Sequence, residues 1–179
     1  MTGKGHRIST TAIVFGTTGS VLAALMSYMG STFPDSSEYM FFGKRRNRYH
    51  RRYTHWFIPW GLLTYVCFKR AGWIVPRIAA LVDGRDAHRD VWACAGFWFV
   101  GCLLHILEDA WCGTVPFLRP WKREIGMHVF RMSNKIGVMS GGEITFVLWS
   151  VGISVIAFMC RYFTTNSFME FVKSIWQSI

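Results

Sequence analysis

The sequence predicts an all-α, polytopic helical membrane protein with about four to five membrane-embedded helices and a C-terminal amphipathic helix. Three observations carry this. Of the 179 residues, 51% are apolar and 17% aromatic, with nine Trp. Long charge-free stretches alternate with dense Arg/Lys clusters, whereas a soluble domain spreads its charges. The apolar stretches also have the lengths of helices rather than strands. The length suits a single domain over 1–179, with a bundle over 1–163 and an interfacial tail over 164–179. The net charge of +10 is accounted for by juxtamembrane Lys and Arg, so no nucleic-acid partner is expected. The five cysteines show no CxxC spacing, and they read as small reduced hydrophobes.

Lys4 and Arg7 precede an apolar run in the manner of a signal peptide. The run exceeds an h-region and has no convincing A-x-A site, so it reads as retained. Residues 8–34 carry no charge. One helix over them would span about 40 Å, more than the ~30 Å hydrocarbon core. Gly16-Thr-Thr-Gly19-Ser20 is turn-like, so this region is either one tilted helix or a hairpin of helices near 7–16 and 20–33. A polar loop from Pro34 carries Asp35 and Glu38, the basic run 44–48 and His50-Arg51-Arg52-Tyr53-Thr54-His55. Thr54 is placed to cap the next apolar run, 56–68. Pro76 and Arg77 predict a kink or break before 82.

After a charged connection, the apolar pattern resumes at Val91 and runs to Trp111, about 31 Å of helix. A basic loop extends to Gly141-Gly142, and a last apolar helix covers 143–161. Ser167-Phe-Met-Glu170 has the form of a capping box. Phe168, Phe171, Val172, Ile175, Trp176 and Ile179 then repeat at helical spacing, as in an amphipathic helix lying on the membrane surface or against the bundle. That helix offers a docking surface for a protein partner, and the bundle as a whole contacts membrane lipids.

The chemistry gathers at the end of the 91–111 helix, in His105-Ile-Leu-Glu108-Asp109. At ~100° per residue, Asp109 lies about 40° from His105 around the axis, and Glu108 about 60° the other way. Acids at the mouth of an apolar helix are costly unless they do something. Counting crossings puts Asp35, Glu38, His50, His55, His105, Glu108 and Asp109 on one face of the membrane. The hairpin reading adds His6. On that reading, thirteen Lys and Arg lie on the cluster's side and seven on the other, which makes the cluster cytoplasmic by the positive-inside rule.

Imidazoles with carboxylates are the ligand set of a divalent metal such as Zn, Mn or Fe. Such an ion activates water and polarises a phosphoryl or acyl oxygen. A spare carboxylate, Glu38 or Glu108, serves as general base, and Arg51 and Arg52 hold a phosphate. No G-x-S-x-G elbow supports serine chemistry. Taken singly, H-x-x-x-D is more often a hydrogen-bonded helix end, and the arginine run a contact with anionic lipid. His88 and His128 have no acidic company and read as surface residues.

At these residues the chain resembles the YdjM-like family of bacterial inner-membrane metal-dependent hydrolases. The family pattern is G-H, then L-P-D-I-D-H, H-R-G-x-T-H, H-x-x-x-D with a G-V-P turn, and G-E before the last helix. Here these correspond to Gly5-His6, Phe33-Pro34-Asp35-Ser36-Ser37-Glu38, His50 to His55, His105 to Asp109 with Gly113-Thr-Val-Pro116, and Gly142-Glu143. The resemblance spans about residues 5–145 and favours the hairpin.

It implies a helical protein of the bacterial inner membrane with a metal site and hydrolase activity, and the charge count places that site at the cytoplasmic headgroup level. A lipid or lipid-linked phosphoester would suit that position. His50, His55, His105 and Asp109 are the expected ligands, with Asp35 and His6 after them. Glu38, Glu108 and Glu143 are the candidates for base or for support of the ligands. Ser37 stands where the family has a second Asp, Glu38 where it has a His, and Arg52 where it has a Gly. Either Glu38 takes over as a shifted ligand, or one metal position is lost. The alternative function is a membrane scaffold or interaction subunit with a degraded site.

Overall fold

The computed structural model describes residues 1–43, 51–71, 91–131 and 138–164. The charge-free N-terminal region forms two helices, α1 (Gly3–Thr18) and α2 (Val21–Gly30), so the hairpin is the arrangement adopted. The turn has a direct cause in the sequence. Gly19 takes φ 65°, a left-handed conformation that closes α1, and the Ser20 side chain accepts from Ala23 N to open α2. Thr2 caps α1 by accepting from Gly5 N.

Helix α3 (Phe33–Phe42) follows with Pro34 in its first turn, where a missing N–H is tolerated. A 3-10 turn at Tyr53–His55 leads into α4 (Phe57–Arg70). Helix α5 (Val91–Cys112) and helix α6 (Gly141–Thr164) are the long ones. The 3-10 turn corrects one expectation. Thr54 does not cap α4, whose cap position is Trp56 with no side-chain bond. Its hydroxyl instead faces Glu38 Oε1 and His55 Nδ1.

Among the described residues, two helices are long and apolar enough to cross a membrane, Val91–Cys112 and Gly141–Phe163. At 1.5 Å per residue, α1 and α4 reach only about 24 and 21 Å, short of the ~30 Å core. They pack against the long helices. The region predicted to kink, 72–82, and the amphipathic tail, 165–179, lie outside the described residues.

The helices meet where side chains are small. Cβ atoms built on Gly16, Gly30 and Gly101 would overlap the backbones of Ser154, Trp98 and Ser27 respectively. α1 therefore lies close on α6, and α2 on α5. Ser27 Oγ also donates to Phe97 O across that second crossing, at 2.9 Å. Small residues and interhelical hydroxyl bonds are how helices associate where lipid removes the hydrophobic drive. Large apolar side chains of α6, including Leu148, Trp149 and Ile156, face outward. The polar residues gather at one end, where α1 begins and α5 finishes.

Candidate metal centre

The helical hairpin turns the start of α1 back to the end of α5. His6, in the first turn of α1, thereby meets Glu108 and Asp109, a hundred residues away. α3 and the 3-10 turn bring Asp35 and His55 to the same place. His6, His55, His105, Glu108 and Asp109 are all buried, at 0–2% exposure, and Asp35 is partly exposed.

His55 Nε2 lies 3.1 Å from His105 Nε2, 3.4 Å from Asp109 Oδ2 and 3.6 Å from Asp35 Oδ1. His105 Nε2 is 3.9 Å from Asp109 Oδ2 and 4.0 Å from Asp35 Oδ1. His6 Nε2 stands 3.3 Å from Asp109 Oδ1. Four donors at the ~2.0–2.1 Å of a tetrahedral zinc site lie roughly 3.3–3.4 Å apart. The observed separations straddle that value. Two overlapping triads result, His6 with His105 and Asp109, and Asp35 with His55 and His105.

The far nitrogens of the rings carry a second mark of a ligand set. His6 Nδ1 is 2.6 Å from Glu108 Oε2, and Glu108 Oε1 accepts from Ser9 Oγ at 2.5 Å and Thr10 Oγ1 at 3.2 Å. With Nδ1 bound to the carboxylate, His6 presents Nε2 toward Asp109. That Nε2 has no hydrogen-bond partner among the described residues. His55 Nδ1 sits 3.1 Å from Thr54 Oγ1 and 3.7 Å from Glu38 Oε1. Metal-bound imidazoles are commonly fixed in this way, one nitrogen on a carboxylate or hydroxyl and the other on the ion. The residues thus fit a divalent cation. His105 differs, since its Nδ1 is buried without a hydrogen bond among the described residues.

The carboxylates divide by role. Glu38, buried on α3, accepts from Arg51 N at 3.0 Å and Thr54 Oγ1 at 3.3 Å, so it fixes the chain leading to His55. Glu108 orients His6. Glu143, in the first turn of α6, accepts through Oε1 from Thr2 N at 2.7 Å and from the Thr2 hydroxyl. Its Oε2 is buried and lacks a hydrogen bond among the described residues.

Arg51 points inward. Its Nη2 donates to Asp109 Oδ1 at 2.8 Å and approaches Cys112 Sγ at 3.4 Å. Burial opposes its charge, but Asp109 and Cys112 outweigh burial and raise its pKa above the ordinary value. It also has φ 56°, an uncommon backbone for a residue with a side chain. A Cβ on Gly113 would overlap this guanidinium. The Met1 amino group approaches the same Asp109 oxygen at 2.5 Å. Arg52 is half-buried; its carbonyl accepts from His55 N at 3.1 Å, which leaves its guanidinium with no part in the cluster's geometry described above. His50 lies outside the described residues, as does His88, and His128 is exposed.

Sequence reasoning missed Ser9 and Thr10, which hold Glu108, and gave Gly113 only as part of a turn, not as the residue that admits Arg51. Ser9 and Thr10 follow His6 by three and four positions and so share its helix face, a signal that was available. The local pattern gives Gly113 as a turn residue, but not its closeness to Arg51, about 60 positions earlier in the chain.

The family described as YdjM inner membrane protein matches residues 1–168. No curated protein and no solved structure matches the chain. With the match covering nearly the whole length, the chain belongs to the YdjM inner membrane protein family.

Proposed function

We propose that this protein is a metal-dependent hydrolase of a lipid or lipid-linked phosphoester, working at the cytoplasmic headgroup level of the inner membrane. One observation carries the reading. The Nε2 atoms of His6, His55 and His105 converge with Asp35 and Asp109, while Glu108 and Thr54 hold the far nitrogens of His6 and His55. An ion held there would supply a Lewis acid that activates water and polarises a phosphoryl oxygen.

The chain's own groups provide the rest. Arg51 sits against Asp109, where a phosphate oxygen would meet its guanidinium. Glu108 and Glu38 are committed to supporting bonds, which leaves Glu143, with an uncommitted Oε2, as the base. The site's position at the end of the long apolar helices favours a substrate presented by the bilayer. Metal-loaded protein in detergent, given a phospholipid, should release a phosphorylated or alcohol product. Asp109→Ala should abolish the release.

A second reading rests on Ser37. This residue replaces a family aspartate, and its hydroxyl is turned to Pro34 O at 2.8 Å. On that reading the fold serves as a scaffold or interaction subunit. Metal-loaded wild type with no turnover on any lipid phosphoester, beside an active relative carrying the full P-D-x-D, would favour it.

A further inference from the structure

A cleft of about 700 Å³ opens between α1, the C-terminal end of α5 and the first half of α6. Ile13, Trp111, Phe130, Phe146, Trp149 and Ile153 wall it. The metal-centre argument uses none of these side chains. Along α6 the cleft runs from Gly142 to Ile153, a rise of about 16 Å of helix. That is about half the ~30 Å hydrocarbon core, the depth of one leaflet. Its upper end is level with Glu143, and its lower end falls near the middle of α6.

The upper end adjoins the polar cluster. Phe130 clusters with Met1 and Cys112, and Phe146 packs against that cluster; Cys112 Sγ lies 3.7 Å from Asp109 Oδ1. Phe130 is held there because its loop satisfies carbonyls left over at the end of α5. Met127 N donates to Ala110 O and Val129 N to Trp111 O, both at 2.7 Å. On the outer side, Trp149 and Ile153 stay largely exposed, so the cleft opens along a helix that crosses the bilayer.

We propose that the cleft holds one hydrocarbon chain of a lipid phosphoester, lying from headgroup level to the midplane, with the phosphate turned in past Cys112 toward Asp109 and Arg51. The placement of the phosphate rests on the proposed function. The binding of the chain does not, and it is measured separately.

The test uses full-length protein in mild detergent, with dioleoyl phosphatidic acid as probe and glycerol 3-phosphate as the chainless control. Native mass spectrometry should find one phosphatidic acid retained and no glycerol 3-phosphate. Thr145→Trp and Ile153→Trp, at the two ends of the cleft, should each lower retention about tenfold by filling it, with bound metal unchanged. His105→Ala should lose metal and keep the lipid. Equal retention in wild type and both Trp variants, or none in wild type, overturns the proposal. Lipid retention that depends on the cleft in a protein holding no metal would sink the hydrolase reading and leave the cleft standing. Should the Trp variants misfold, wild type can be crosslinked to phosphatidic acid carrying a diazirine midway along one chain. Adducts at Ser150 or Ile153 that excess lipid competes away support the cleft, and adducts confined to the outer face of α4 overturn it.

Discussion

Glu108 and Asp109 are adjacent in sequence, yet they do different work. Asp109 turns both oxygens to the imidazoles, Oδ1 to His6 and Oδ2 to His55 and His105. Glu108 turns away from them, to His6 Nδ1, Ser9 and Thr10. Their separate roles predict separate phenotypes. Glu108→Gln keeps the shape of the side chain but removes the charge that fixes His6. Metal affinity, measured by chelator competition, should fall by about 10–100-fold with the protein still folded. Unchanged affinity would mean that Glu108 is only filling space. At Gly113 the argument is steric. Gly113→Ala places a methyl group against the Arg51 guanidinium, so it should lower stability by about 1–3 kcal/mol, read as a fall in Tm in detergent. The same change should weaken binding of inorganic phosphate.

At the scale of elements, the close crossing of α2 and α5 holds the two halves of the site in register. Gly30 faces Trp98 and Gly101 faces Ser27, backbone to backbone. Gly101→Leu would wedge the helices apart and withdraw α2 and α3, and with them Asp35, from His105. Loss of thermal stability of about 1–3 kcal/mol or more is expected, together with weakened metal binding. A Gly101→Leu variant as stable as wild type would contradict the packing described. The sequence was informative here to an uneven degree. The hairpin was visible as one of two readings, because Gly19 and Ser20 are a turn and cap in local terms. The bounds of α5 and α6 followed from hydropathy, because an apolar run ends where charge begins. The role of Thr54 was not visible, since a cap and a bond to a distant Glu38 look alike in a local pattern. His6, Asp35, His55, His105 and Asp109 were each readable as candidates. The pairing of Glu108 with His6, and of Arg51 with Asp109, needed the tertiary fold.

For the whole molecule, orientation and site are linked. The basic residues of the 119–131 loop lie at the end of the molecule where α5 finishes at the cluster of imidazoles and carboxylates. Lys69 and Arg70 close α4, beyond the opposite ends of the crossings. In a background lacking the five native cysteines, Lys122→Cys should resist an impermeant thiol reagent added to intact cells, and Lys69→Cys should react. The reverse pattern would put the site on the periplasmic side. The claim that matters most is that the clustered imidazoles and carboxylates bind an ion. Metal per chain, determined on detergent-purified wild type beside His105→Ala and Asp109→Ala, tests it most directly. Stoichiometric divalent metal in wild type, lost from both folded variants, is the result predicted. A metal-free wild type, under conditions that load a relative with the full P-D-x-D, would contradict it.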